Sequence, residues 1–220
     1  IGQDPLAAIA LASYRHAQAN PRAVMYGRPL TREDYDNSRW ISEPFHLFDC
    51  CQENDGAAAL ILTTPERARD LKQKPVYVLA AAQGFDPTYD QPGSGSANYR
   101  TVGPRLWAAA GVQPKDVAVA QVYENFTGGT LMSLVENGFC APEEVEAFCT
   151  LEHFSAPHGR LPLNTSGGNL AECYTHGFEL ENEAVRQVRG TSTAQVPDVH
   201  LSFVAAGPVT NPVSNVLFSD

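Results

Sequence analysis

Apolar residues in this chain fall into short continuous runs separated by amphipathic stretches. Leu6, Ile9, Ala10 and Ser13 share one helical face, which predicts a helix over 5–18 that Asn20-Pro21 stops. Thr31, followed by Glu33 and Asp34, offers a helix N-cap with acids in the first turn. After Asp55-Gly56 comes an unbroken small and apolar run, 57–63, which suits a strand buried on both faces. A short helix over 65–71 and a second buried strand over 76–82, ended by Gly84, follow.

The stretch 85–95 is rich in Gly, Pro, Asp and Ser and reads as a linker. Beyond it the pattern predicts a helix over 99–110, a strand over 117–123 and a helix over 129–136. Pro142-Glu143-Glu144 opens another short helix. A long helix from Gly168 to about Arg189 precedes strands near 199–204 and 213–218. Helices alternating with buried strands give an α/β class. Two strands before the linker and three after it fit two half-domains better than one sheet.

With 220 residues, 43% hydrophobic and 18% charged, the chain is long enough for one large domain or two small ones with a real core. No run reaches the roughly 18 apolar residues of a membrane helix. The start, Ile1-Gly2-Gln3-Asp4-Pro5, has neither the basic nor the apolar segment of a cleavable signal, and it does not read as a start of translation. We therefore expect a cytoplasmic, membrane-free protein of which this is a fragment. A net charge of −10 argues against nucleic acid as a partner, while a local basic pocket for coenzyme A stays compatible with it.

Five cysteines, Cys50, Cys51, Cys140, Cys149 and Cys173, form no disulfide framework, and none of their spacings is that of a zinc site, so no metal is expected. His153, His158 and His176 could in principle pair with one of these thiols, but no cysteine-protease signature surrounds any of them. Buried small hydrophobes are the ordinary reading of such cysteines.

Two stretches carry more information. In Gln121-Val122-Tyr123-Glu124-Asn125-Phe126-Thr127-Gly128-Gly129 a buried strand ends in polar residues and hands over to a helix. Ligands sit at the carboxyl ends of strands in α/β sheets. Local chemistry alone divides evenly between a ligand site and a Tyr and Glu that merely close the strand. Asn164-Thr165-Ser166-Gly167-Gly168, continuing to Tyr174-Thr175-His176-Gly177, places two adjacent glycines where backbone can approach a ligand or another segment closely. A Gly-Gly helix start is weak evidence for an anion site by itself.

Together these stretches resemble the thiolase family. Asn164 to Gly177 is similar to its Asn-x-x-Gly-Gly…Gly-His-Pro-x-Gly block, with Tyr174 in the place of the histidine and Thr175 in that of the proline. Tyr123-Glu124-Asn125-Phe126-Thr127 resembles Asn-Glu-Ala-Phe-Ala, with Tyr123 in the place of the asparagine. Leu201 to Pro208 lies where thiolases carry Cys-x-Gly; no cysteine is present, and Gly207 corresponds to the glycine. Asn54-Asp55-Gly56-Ala57-Ala58-Ala59 resembles the Asp-Gly-Ala-Ala segment of the first half-domain. The resemblance implies a thiolase fold of duplicated αβαβα half-domains. Residues 1–88 would end the first half with part of its loop region, and 89–220 would form the second.

A Claisen thiolase needs a thiolate, a base and a second thiol. This sequence lacks two of the residues that supply those roles in the family, which would leave a pocket shaped for an acyl-CoA thioester with two phenols facing it. Phenols suit removal of an alcohol proton and return of a proton to an enolate, which is retro-aldol cleavage of a β-hydroxyacyl-CoA. The tyrosine pair resembles the thiolase-like lipid-transfer-protein aldolases of actinobacterial steroid catabolism. That resemblance implies a 17-hydroxy steroid acyl-CoA substrate cleaved to a 17-ketosteroid and propionyl-CoA. It implies a homodimer, and as partner the OB-fold, zinc-ribbon-like domain attached to an enoyl-CoA hydratase. No cofactor is implied beyond the coenzyme A of the substrate. Tyr123 and Tyr174 are the expected catalytic residues; Glu124, Asn125, Gly168, Cys173 and Gly207 are expected around the substrate. A thiolase using a cysteine outside this sequence, a non-catalytic lipid or acyl-CoA carrier, and a structural subunit beside an active paralogue remain open.

Overall fold

Residues 2–88 and 95–220 are described by the computed structural model. The chain forms helices α1 (Asp4–Ala17), α2 (Arg32–Asp36), α3 (Pro65–Arg69), α4 (Val102–Ala110) and α5 (Thr127–Glu136), then α6 (Val145–Phe148), α7 (Leu151–Phe154), α8 (Gly168–Ala171) and α9 (Phe178–Arg189). Its strands are β1 (Trp40–Ser42), β2 (Phe45–His46), β3 (Tyr77–Gly84), β4 (Val119–Val122), β5 (Leu201–Ala206) and β6 (Val213–Ser219).

β3 to β6 make one mixed sheet in the order β3-β6-β5-β4. β4 and β5 run parallel; β6 is antiparallel to both β5 and β3. Alternate side chains leave opposite faces of a strand, and the core divides accordingly. Ala120, Val122, Phe203, Ala205 and Leu217 join the cluster built with α1, α4 and α5. Val119, Tyr123, Val204 and Phe218 join the other, against Leu180, Ala184 and Val188 of α9. This alternation puts Tyr123 on the face covered by α9. α1 is buried almost all round because its alanines let α5, α7 and α8 pack closely. Thr31 caps α2 as expected: its hydroxyl accepts the Asp34 N–H at 3.1 Å while Asp34 accepts the Thr31 N–H at 3.2 Å.

Four sequence expectations are corrected. Segment 57–63 is not a strand, and Ile61 and Leu62 are 91% and 80% exposed; among the described residues no segment pairs with it in the ladder that a strand needs. The strand expected at 76–82 forms as β3, but it is the sheet edge, with Val78 and Leu79 about half-exposed, rather than buried on both faces. The strands on the two sides of the linker do not separate, because β3 pairs along its length with β6. The long helix at 168–189 is two helices, α8 and α9, parted at Gly177, whose φ of +85° ends one path and starts another. Residues 89–94 of the expected linker lie outside the described residues. No helix among the described residues is long and apolar enough to cross a membrane.

Candidate active site

The Asn-x-x-Gly-Gly block docks against β4 through its asparagine. Asn164 takes a φ of +51°, and its side chain acts as a further strand residue. Its Oδ1 accepts the Val122 N–H at 2.7 Å and its Nδ2 donates to the Val122 carbonyl at 2.9 Å. Gly167 and Gly168 then turn the chain with positive φ into the single turn of α8. The direction in which a Cβ at 168 would project is filled by the Glu124 carboxyl. Gly177 passes beneath Tyr123, where a Cβ would lie 2.8 Å from its ring.

These close approaches bring the two expected tyrosines together. The phenol oxygens of Tyr123 and Tyr174 are 2.7 Å apart, and the rings meet at 63° with centroids 6.0 Å apart. Tyr123 is 8% exposed. Burial above all, then the bond to Tyr174 and the charges of Cys51 and Glu179, push its pKa well above that of a free phenol. Tyr174, not Tyr123, reaches the wall of a cavity of about 600 Å³ shared with Asn54, Asp55, Gly56, Thr175, His176 and Phe178. A larger hollow of about 760 Å³, lined by Met25, Arg28, Arg39 and Phe48, holds none of the motif residues. Tyr174 lines the smaller one, with Tyr123 bonded to it from behind.

The five residues expected around the substrate are distributed differently. Glu124 has no exposed surface, and its Oε1 has no hydrogen-bond partner. Burial first, then the charge of Glu179, raises its pKa far above the usual carboxyl range. Glu124 and Gly168 therefore back the tyrosines rather than line the cavity. Asn125 caps its own turn, its Oδ1 accepting the Phe126 N–H at 3.0 Å. Cys173 is half-buried beside the cavity; burial, then Glu172 and Glu179, push its thiol up to about 11, so it is protonated at neutral pH. Gly207, at φ +81°, belongs to the turn after β5, with the Thr210 hydroxyl donating to its carbonyl.

Sequence reasoning gave no role to three residues. Glu179, in the first turn of α9, accepts the Thr175 N–H at 3.2 Å and the Thr175 hydroxyl. With its amide turned to satisfy its neighbours, Asn169 donates to Glu179 and accepts the Glu124 N–H at 3.2 Å. Asn54 accepts the Tyr174 N–H at 2.8 Å. No spacing in the chain advertises the last contact, which joins positions 120 residues apart.

The profile of the family described as thiolase C-terminal domain-like matches residues 90–217. The chain belongs to that family. Among curated relatives it is similar to a 17-hydroxy-3-oxo-4-pregnene-20-carboxyl-CoA lyase of Mycobacterium tuberculosis, 47% identical over 91% of this chain and 53% of the relative. It is also similar to a steroid side-chain-cleaving aldolase of Thermomonospora curvata, 44% identical over 90% of this chain and 52% of the relative. The chain thus spans about half the length of these relatives. Among solved structures it matches an Ltp2-ChsH2(DUF35) aldolase with TM-score 0.89 and 38% identity, over 100% of this chain and 59% of that one. A match to the Acat5 thiolase of Ascaris suum, TM-score 0.64 at 18% identity, supports the family fold alone.

Proposed function

We propose that the protein is a carbon–carbon lyase that cleaves a β-hydroxyacyl-CoA by a retro-aldol reaction, with Tyr123 and Tyr174 moving the protons. The observation that carries this reading is the direct 2.7 Å bond between the two phenol oxygens at the cavity wall. Tyr174 faces the cavity and is the group that takes the substrate's hydroxyl proton, in a relay that runs through its hydrogen bond to Tyr123. The Cα–Cβ bond breaks, the former alcohol becomes a ketone, and the electron pair becomes the thioester enolate. Tyr123, kept in its phenol form by burial, gives its proton to the enolate carbon. The proton that Tyr123 gives up is replaced across the hydrogen bond by that of Tyr174, so both tyrosines end as phenols. No proton is gained or lost.

The names of the relatives support a 17-hydroxy steroid side-chain thioester as substrate, and retro-aldol cleavage of it would give propionyl-CoA and a 17-ketosteroid. The solved Ltp2-ChsH2(DUF35) aldolase supports a partner of the DUF35 type, which on this reading is the OB-fold, zinc-ribbon-like domain attached to a hydratase. A homodimer, a cytoplasmic location and the absence of any cofactor beyond the substrate's coenzyme A complete the reading. A thiol route is disfavoured by the protonated Cys173 and by the lack of cysteine in 201–208. Incubating the intact protein with the hydroxyacyl-CoA tests the proposal. Free propionyl-CoA and ketone should form in equal amounts without added CoA. A requirement for free CoA would point to thiolysis instead.

A further inference from the structure

Tyr174 belongs to neither helix; it sits in the turn between α8 and α9. Backbone N–H groups in such a turn need acceptors from elsewhere. The Tyr174 N–H finds Asn54 Oδ1 at 2.8 Å, and the next N–H, of Thr175, finds Glu179 at 3.2 Å. Asn54 is itself held by a segment that touches both the strand-end stretch and the glycine block. Cys51 N–H donates to the Asn125 carbonyl at 3.0 Å, Gln52 N–H to the Asn169 carbonyl at 3.0 Å, and Gln52 Nε2 to the Leu170 carbonyl at 2.6 Å. Two residues on, a Cβ at Gly56 would stand 2.7 Å from Thr175 Cγ2, so only glycine lets the segment press against the Tyr174 turn. Both polar groups of the Asn54 amide are engaged within the protein, since Nδ2 donates to the Asp55 carbonyl at 3.2 Å.

We infer that Asn54 is a positioning residue for the proposed reaction: its amide oxygen fixes the Tyr174 backbone and so sets the Tyr174 phenol against that of Tyr123. The inference rests on the aldolase reading only for its activity measurement. Displacing a reacting group by about 1 Å can cost on the order of 10²-fold in rate.

The test uses the intact protein with Asn54→Ala and Asn54→Asp, the second keeping an oxygen acceptor in place. Asn54→Ala should lower kcat about 10²-fold with little change in KM, and Asn54→Asp should restore it to within about tenfold of wild type. In 3-fluorotyrosine protein, the Tyr174 fluorine resonance should shift or broaden in Asn54→Ala and return in Asn54→Asp. Tyr174 amide exchange should accelerate only in the alanine variant. Thermal unfolding checks that both variants are folded. Wild-type kcat and unchanged exchange in Asn54→Ala would overturn the inference, as would Asn54→Asp being as impaired as alanine. If wild type itself cleaves no hydroxyacyl-CoA, the aldolase reading fails, while the fluorine and exchange measurements still decide the role of Asn54.

Discussion

Gly168 and Glu124 are packed so closely that no side chain fits between them: the space a Cβ at 168 would need is occupied by the Glu124 carboxyl. This contact locks the glycine turn of one motif onto the strand end of the other. It explains why the glycine is needed without any appeal to a bound anion.

Gly168→Ala should therefore be costly. The residue holds φ +56°, which alone disfavours alanine by about 1–2 kcal/mol, and the added methyl must displace a fully buried carboxyl. Chemical denaturation should show a loss of at least about 2 kcal/mol. Unchanged stability would mean that Glu124 moves aside freely.

Glu124 itself makes stability depend on pH. Its folded pKa is raised above the ordinary 4.5, by burial first and then by Glu179. The unfolded chain ionises first as pH rises, so the stability associated with Glu124 is fully present below about 4.5 and is lost as pH climbs toward the folded value. Glu124→Gln, neutral at every pH, should gain on wild type in thermal denaturation as pH rises to neutrality. A constant difference between the two curves would contradict a buried, hard-to-ionise carboxyl.

His16 acts in the opposite direction. Its Nδ1 lies 3.2 Å from the Asn164 carbonyl, its Nε2 accepts the Ala156 N–H at 2.9 Å, and burial lowers its pKa from 6.5 to about 4. Stability is complete above 6.5 and falls as pH drops toward 4, by up to about 3 kcal/mol. Comparing pH-dependent melting of wild type and His16→Gln should show this acid-side loss in wild type only. Equal loss in both would assign it to other groups.

The sequence made much of this architecture legible and left its joints hidden. β4, α5, β5 and β6 were readable because their periodicity and bounding turns agree with where they are buried. That Tyr123 and Tyr174 meet is legible from their motif positions. Segment 57–63 misled because a small apolar run has the composition of a buried strand whether or not a neighbouring strand is present to pair with it. The break at Gly177 was signalled by the glycine itself, but an amphipathic pattern continuing past it masked the signal. Asn54 and Glu179 were hidden because their importance lies in which backbone N–H groups they reach, and tertiary packing decides that.

Cys173 separates the phenol and thiol chemistries cleanly. With its thiol pushed up to about 11, it should react with iodoacetamide far more slowly at pH 7 than a free cysteine does, since the thiolate is the nucleophile. Cys173→Ala should keep most of the proposed lyase activity. Rapid labelling at neutral pH coupled to complete inactivation would restore a thiol mechanism.

The most direct measurement is turnover of a 17-hydroxy steroid acyl-CoA by Tyr123→Phe and Tyr174→Phe. The two oxygens lie 2.7 Å apart across 51 residues of chain, and each substitution removes one oxygen while keeping the ring. Each should lower kcat by about 10²–10⁴-fold with the fold intact. Because both members of one proton relay are being removed, the double variant should be little worse than either single one. Near-wild-type turnover in both single variants would contradict the account.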